Sequence, residues 1–244
     1  MYAVTAFFFK AAAFILVGLY SIGLPVRVRG MPLSGQITVT AHSGCMDLPD
    51  NSLEAMEAGV QAGAQIVEFD LQYNDAGEPV LSHDAPAGQC VTLQDAFAFL
   101  AAHPDVRANV DVKDTSRLEC VEPMAQEAGV LDRIFFTGLE ERDIPIAREK
   151  CPSVPYYLNT KVSRFTNIKK LADKVRELGA LGVNVNKRCL SPRLTRVFHD
   201  EGLLVSVWTV DKKNRALVTL MLQPDNVTTR RPDLIWSLLE KEIV

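Results

Sequence analysis

From about residue 36 onward, short runs rich in β-branched and aromatic residues alternate with longer stretches of helical periodicity. The short runs fall at 37–42, 65–73, 108–113, 133–138, 154–159, 182–187, 203–209 and 225–229. Near-continuous apolar runs of this length are the signature of parallel strands buried on both faces. Between them, apolar positions recur every three to four residues, as on helices with one buried stripe. The first such segment places Leu53, Met56 and Val60 on one face, with Asn51 and Glu54 as a capping pair at its start. The longest covers 165–178 and aligns Phe165, Ile168, Ala172 and Val175. In the last, Trp236 and Leu239 follow Pro232 at a first helical turn.

Strands and helices alternating eight times predict an α/β protein, a (β/α)8 TIM barrel forming a single domain. An open doubly wound sheet is the alternative, but no GxGxxG follows the first strand. The turn Asn74-Asp75-Ala76-Gly77 and the run 78–84 add a short hairpin to the second strand.

The chain divides into an apolar leader at 1–30 and the barrel at 31–244. Residues 2–25 carry Lys10 as their one full charge, with Arg27 and Arg29 following. Three readings fit: translation starting at Met31, a membrane anchor, or a signal peptide without a clear cleavage site. The two arginines after an anchor would leave the barrel on the cytoplasmic side, so the expected location is cytoplasmic, free or membrane-anchored on that face. A net charge of −4 gives no reason to expect nucleic acid as a partner. The cysteines at 45, 90, 120, 151 and 189 form no CxxC pair. They read as reduced thiols; the alternative pairs Cys45 with Cys90, each close after a histidine.

Polar residues gather at the C-terminal ends of the expected strands, where barrels of this kind place their active sites. His42 closes the first strand, and Glu68 and Asp70 sit at alternating positions of the second. Alternate side chains share a face, so these two carboxylates can hold one hard cation. His83 ends the hairpin beside Asp84, and Asp111 and Lys113 alternate on the third strand. Further round come Asn159, Lys161, Asn184, Asn186, Trp208, Thr229, Arg230 and Arg231. Charged groups inside a core strand are costly unless paired or metal-bound. The structural alternatives are an ion pair of the acids with Lys113, a helix cap at Asp50, and core packing for Trp208. His103 and His199 lie near helix ends and read as structural.

At these residues the chain resembles the glycerophosphodiester phosphodiesterase family. The likeness runs through His42-x-Gly44, Asn51-Ser52, Glu68-x-Asp70, Gly77-x-x-Val80-x-x-His83-Asp84 and Asp111-Val112-Lys113. It continues through Val207-Trp208-Thr209-Val210 and Thr229-x-Arg231-Pro232. The resemblance implies hydrolysis of a small glycerophosphodiester to an alcohol and glycerol phosphate. It implies one divalent cation, Mg2+ or Ca2+, on Glu68, Asp70 and Asp111, and His42 and His83 as the acid–base pair. Lys113 would face the phosphate, and Trp208 would pack on the glycerol. Departures from the pattern are Ser43 for the arginine that follows the first histidine, Asp50 for Glu, Asp111 for Glu, and Arg230 for Asp. Ser43 thereby becomes the substrate-side residue at the arginine's position. A sphingomyelinase D-like phospholipase and a phosphodiester-binding module without catalysis are the competing readings.

Overall fold

The structure, a computed structural model, describes residues 37–240. Its strands are β1 (Thr38–Ala41), β2 (Ile66–Tyr73), β3 (Pro79–Leu81), β4 (Arg107–Val112), β5 (Ile134–Thr137), β6 (Leu158–Asn159), β7 (Gly182–Asn186), β8 (Leu204–Trp208) and β9 (Asn226–Thr229). Eight of them run parallel in the order β5-β4-β2-β1-β9-β8-β7-β6, while β3 pairs antiparallel with β2. The two ends of this sheet approach each other: Phe136 and Tyr156 form a parallel bridge, and the Tyr157 N–H donates to the Phe136 carbonyl at 2.9 Å. The sheet therefore curls into a nearly closed barrel.

The helices are α1 (Leu53–Gln61), α2 (Leu93–Ala102), α3 (Val121–Glu127), α4 (Ile144–Lys150), α5 (Ile168–Glu177), α6 (Pro192–Asp200), α7 (Lys213–Met221) and α8 (Pro232–Glu240). Apolar strand residues such as Val39, Phe69, Val110, Val205 and Val227 join Met56, Phe97, Leu194, Phe198 and Ile235 from the helices in one continuous core. The outward face of the sheet is thus the hydrophobic one, which is the driving force that wraps helices around it.

The alternate positions face inward and are polar. Thr40, Glu68, Asn109, Thr137, Asn184, Ser206, Asn226 and Thr228 are all buried. Burying such groups is costly unless they are hydrogen-bonded, and cross-strand bonds satisfy most of them. Thr40 Oγ1 donates to Asn226 Oδ1 at 2.8 Å, and Asn226 Nδ2 donates to Ser206 Oγ at 3.0 Å. Ile66, Phe135 and Tyr157 form a small separate apolar cluster. Barrels of this class usually fill with branched aliphatics; here most of the interior is hydroxyl, amide and carboxylate.

Several expectations need correction. Ser52, not Asn51, caps α1, its side chain accepting from the Ala55 N–H, and Asn51 takes a left-handed φ of 61°. Phe165 is 82% exposed and lies outside α5, because Asn167 caps that helix and starts it at Ile168. The run 154–159 shortens to Leu158–Asn159. Pro155 has no N–H to give a ladder, although its carbonyl accepts from the Phe136 N–H at 2.9 Å. All five cysteines are free, and the buried Cys45 donates its thiol to the Ala55 carbonyl, so the Cys45–Cys90 pairing is overturned. The leader at 1–30, with Lys10, Arg27 and Arg29, lies outside the described residues. Among the described residues no helix is long and apolar enough to cross a membrane.

Candidate active site

The carboxylates come from β2 and β4, whose register sets Glu68 opposite Asn109 and Asp70 opposite Asp111. Each inward position of one strand thereby meets an inward position of the other. Glu68 Oε2 accepts from Asn109 Nδ2 at 2.7 Å and lies 3.5 Å from Thr228 Oγ1. Asn109 is itself oriented by Thr137, whose hydroxyl lies 2.8 Å from Asn109 Oδ1 and 3.0 Å from Asp111 Oδ1. Lys113 Nζ lies 3.0 Å from Asp70 Oδ1 and 2.5 Å from Asp111 Oδ2.

Burial pushes the Glu68 carboxyl well above the ordinary range, and the nearby Asp111 and Asp70 add to the effect. Burial works against the Lys113 charge, yet Asp111 and Asp70 hold its pKa above the usual lysine value. Three carboxylates thus share a buried space with one ammonium. Hard oxygen donors in excess of their counter-charge fit a divalent cation of the Mg2+ or Ca2+ kind. As the side chains stand, no three acidic, histidine or cysteine groups among the described residues converge to enclose a metal. Lys113 bridges Asp70 and Asp111, and a cation bound by both would have to displace it.

His42 follows β1, its N–H donating to the Thr229 carbonyl at 2.9 Å. Its Nε2 stands 3.8 Å from Glu68 Oε1, and its Nδ1 lies 3.2 Å from Ser43 Oγ. Burial, and then the Arg230 charge, lower the His42 pKa below the ordinary 6.5. Ser43 is buried, with its hydroxyl against this imidazole. His83 sits in the loop after β3, 65% exposed, with Nδ1 2.9 Å from Asp84 Oδ1. That loop is tied to β2 by the Ser82 N–H donating to the Asp70 carbonyl at 2.9 Å. Trp208 ends β8 and is 36% exposed.

Several residues support the site through partners that the sequence did not disclose. Asn51 Nδ2 donates to Asp70 Oδ2 at 2.9 Å while its Oδ1 accepts from the Asp70 N–H at 2.8 Å. Arg230 Nη1 donates to Asp50 Oδ1 and to the Gly44 carbonyl, each at 2.7 Å. Asp50 is therefore a partner of Arg230, and the guanidinium holds its carboxyl below the ordinary range. Gly138 has φ +82°, and a Cβ there would lie 2.6 Å from Asp111 Oδ1. Asn109, the partner of Glu68, was absent from the sequence-derived set but carried a signal there, as a polar residue two positions before Asp111 on a strand.

Comparison with known proteins identifies relatives in both sequence and fold. Residues 42–119 and 86–234 match the sequence model of the Glycerophosphoryl diester phosphodiesterase family. The chain is 25% identical to a probable glycerophosphodiester phosphodiesterase 2 of Mycobacterium tuberculosis, over 82% of this chain and 89% of that protein. In fold it is similar to a putative glycerophosphoryl diester phosphodiesterase of Silicibacter pomeroyi (TM-score 0.73, 16% identity, 88% of this chain and 96% of the other). An Oleispira antarctica phosphodiesterase, crystallised with the product sn-glycerol-3-phosphate, has TM-score 0.70 and 18% identity over 83% of this chain and 96% of its own. A family match across most of the barrel, with a curated relative of the same description, establishes that the chain belongs to the glycerophosphoryl diester phosphodiesterase family, enzymes that hydrolyse glycerophosphodiesters.

Proposed function

We propose that this enzyme works with one divalent cation and with His42 and His83 as its acid–base pair, releasing an alcohol and glycerol phosphate. The observation that carries the reading is the pairing of Asp70 with Asp111 in register, with Glu68 Oε1 3.8 Å from His42 Nε2 on the same inner face. Glu68, Asp70 and Asp111 would hold the cation. When bound, it would polarise the phosphoryl oxygens and offset charge developing on them.

The protein's own groups then divide the proton work. His42 would act as the base through Nε2, the ring nitrogen facing Glu68, taking the proton of the attacking hydroxyl, and burial lowers its pKa in favour of the unprotonated ring. His83, held by Asp84 at the rim, protonates the departing alcohol oxygen. Lys113, which bridges Asp70 and Asp111 while no cation is bound, would on displacement turn its charge to the phosphoryl group. Trp208 offers a flat apolar surface to the glycerol carbons. The acid–base pair would contribute roughly 10²–10⁴-fold per group.

The test is an assay of the purified full chain on a panel of glycerophosphodiesters with Mg2+, Ca2+ or chelator, beside His42→Ala and His83→Ala. Chelator-sensitive turnover that falls at least a hundredfold in each variant is expected. Turnover indifferent to chelator would remove the cation, and turnover surviving both substitutions would remove the histidine assignment.

A further inference from the structure

A phosphodiester is an anion, and the mouth of this barrel is already acidic. Glu68, Asp70 and Asp111 face inward, Lys113 is engaged by two of them, and residue 43 brings no charge. A cation is supplied on the His42 side by Arg230. Strands β1 and β9 pair Ala41 with Thr229, so His42 and Arg230 leave neighbouring strands side by side. The Arg230 N–H is fixed by Asp211 Oδ1 at 2.8 Å, which aims the residue back toward the loop after His42. Its Nη1 then bonds the Gly44 carbonyl and Asp50 Oδ1, both at 2.7 Å, while Nη2 is 3.4 Å from Asp50 Oδ2. A guanidinium has five donors. Among the described residues these bonds engage Nη1 and one long contact of Nη2, leaving Nε–H and the second Nη2–H for another acceptor. The Asp50–Arg230 pair is only partly buried, and Asp50 feels the charges of both His42 and His83. The pair therefore lies within electrostatic reach of both imidazoles.

We propose that Arg230 is a second phosphate-contacting cation of this site, anchored beside His42 by the Gly44 carbonyl and donating through its uncommitted N–H groups to a phosphoryl oxygen. This rests on the phosphodiesterase reading and assigns the anion-binding role to the strand next to His42, not to the residue after it. Arginine suits the task because its planar fork matches phosphate oxygens.

A purely structural clamp between β9 and the loop after β1 is the rival, and Asp50 separates the two. Binding of inorganic phosphate and of sn-glycerol 3-phosphate is measured by calorimetry on the full chain, with KM and kcat on the glycerophosphodiester panel. Arg230→Gln should weaken phosphate binding and raise KM about tenfold to a hundredfold, with a smaller change in kcat. Asp50→Asn breaks the same pair but frees the guanidinium, so it should bind phosphate at least as tightly as the parent. Ser43→Arg added to Arg230→Gln should recover at least part of the lost affinity, and Arg230→Lys should lie between. Equal losses in Arg230→Gln and Asp50→Asn, or none in the former, would overturn the proposal. Should Arg230→Gln fail to fold, Arg230→Lys against Asp50→Asn makes the same comparison. If the parent hydrolysed no member of the panel while Arg230→Gln still lost phosphate binding, the catalytic reading would fall and this one would stand.

Discussion

Asn51 holds Asp70 at both ends, its amide donating to the carboxylate at 2.9 Å and its carbonyl oxygen accepting from the Asp70 N–H at 2.8 Å. Asn51 is also joined to the loop after His42, its own N–H donating to the Ser43 carbonyl at 2.9 Å. One residue thus couples the strand bearing a carboxylate to the loop bearing an imidazole. Its left-handed φ of 61° is a conformation that Asn tolerates and Ala resists. Asn51→Ala should therefore lose about 2–4 kcal/mol in urea unfolding, combining backbone strain with a buried acceptor and donor left unmet. Asn51→Gly relieves the strain but still unties Asp70. It should lose less stability than the alanine variant and as much activity, and a glycine variant with parental kcat would refute the coupling.

Gly138 and Gly88 make a matched pair for testing the wall behind Asp111. Both have positive φ, +82° and +72°, but a Cβ at Gly138 would meet the Val112 carbonyl at 2.4 Å and Asp111 Oδ1 at 2.6 Å, whereas Gly88 has nothing within 4 Å. Gly88→Ala should show only the backbone penalty, on the order of 1–2 kcal/mol. Gly138→Ala should show that penalty plus a displaced Asp111, read as weaker binding of Mg2+ or Ca2+ by calorimetry. Equal cation affinity in the two variants would mean that Asp111 is not needed for the metal.

What the sequence disclosed followed from local periodicity. Glu68 with Asp70, and Asp111 with Lys113, could be placed on shared faces because strand side chains alternate every second residue. Which residues lie opposite each other was not readable, since the register pairing Asp70 with Asp111 is a tertiary pairing that local periodicity does not encode. The Asp50–Arg230 pair joins residues 180 positions apart and is created by closure of β9 against β1. Asn51 was misread because a polar residue before a helix has the same local signature whether it caps the helix or reaches across to a strand; Ser52 takes the cap. Phe165 fits the helical spacing of α5, but capping by Asn167 outweighs spacing and leaves the ring in solvent.

The pH dependence should reflect His42. Burial first, and Arg230 second, disfavour its protonated form, so its pKa lies below 6.5 in the folded enzyme. As the base it must be unprotonated, and the acid limb of kcat/KM should therefore fall below pH 6.5 rather than at it. The same shift affects folding: the unfolded chain binds this proton more tightly, so the His42 contribution turns unfavourable as pH drops below about 6.5. Arg230→Gln removes one of the two depressing influences and should move the acid limb upward. A limb that stays in place in that variant would mean that burial alone sets the His42 pKa.

Glu68 should trade stability for function. Its carboxyl is buried among Asp111 and Asp70 and titrates above the ordinary range, so the folded protein binds that proton more tightly than the unfolded chain does. Ionised Glu68 therefore opposes folding near neutrality, and the penalty fades as pH falls through the raised folded value. Glu68→Gln keeps an oxygen for the Asn109 amide, which now bonds Glu68 Oε2 at 2.7 Å, while removing the charge. In chelator it should melt at a higher temperature than the parent. Adding Mg2+ or Ca2+ should raise the parent's melting temperature, because a ligand that binds only the folded state stabilises it. The same addition should do little for the variant, whose turnover should be lost. A parent that ignores both cations, with a Glu68→Gln variant no more stable in chelator, would show that the three carboxylates are balanced by Lys113 and their neighbours alone.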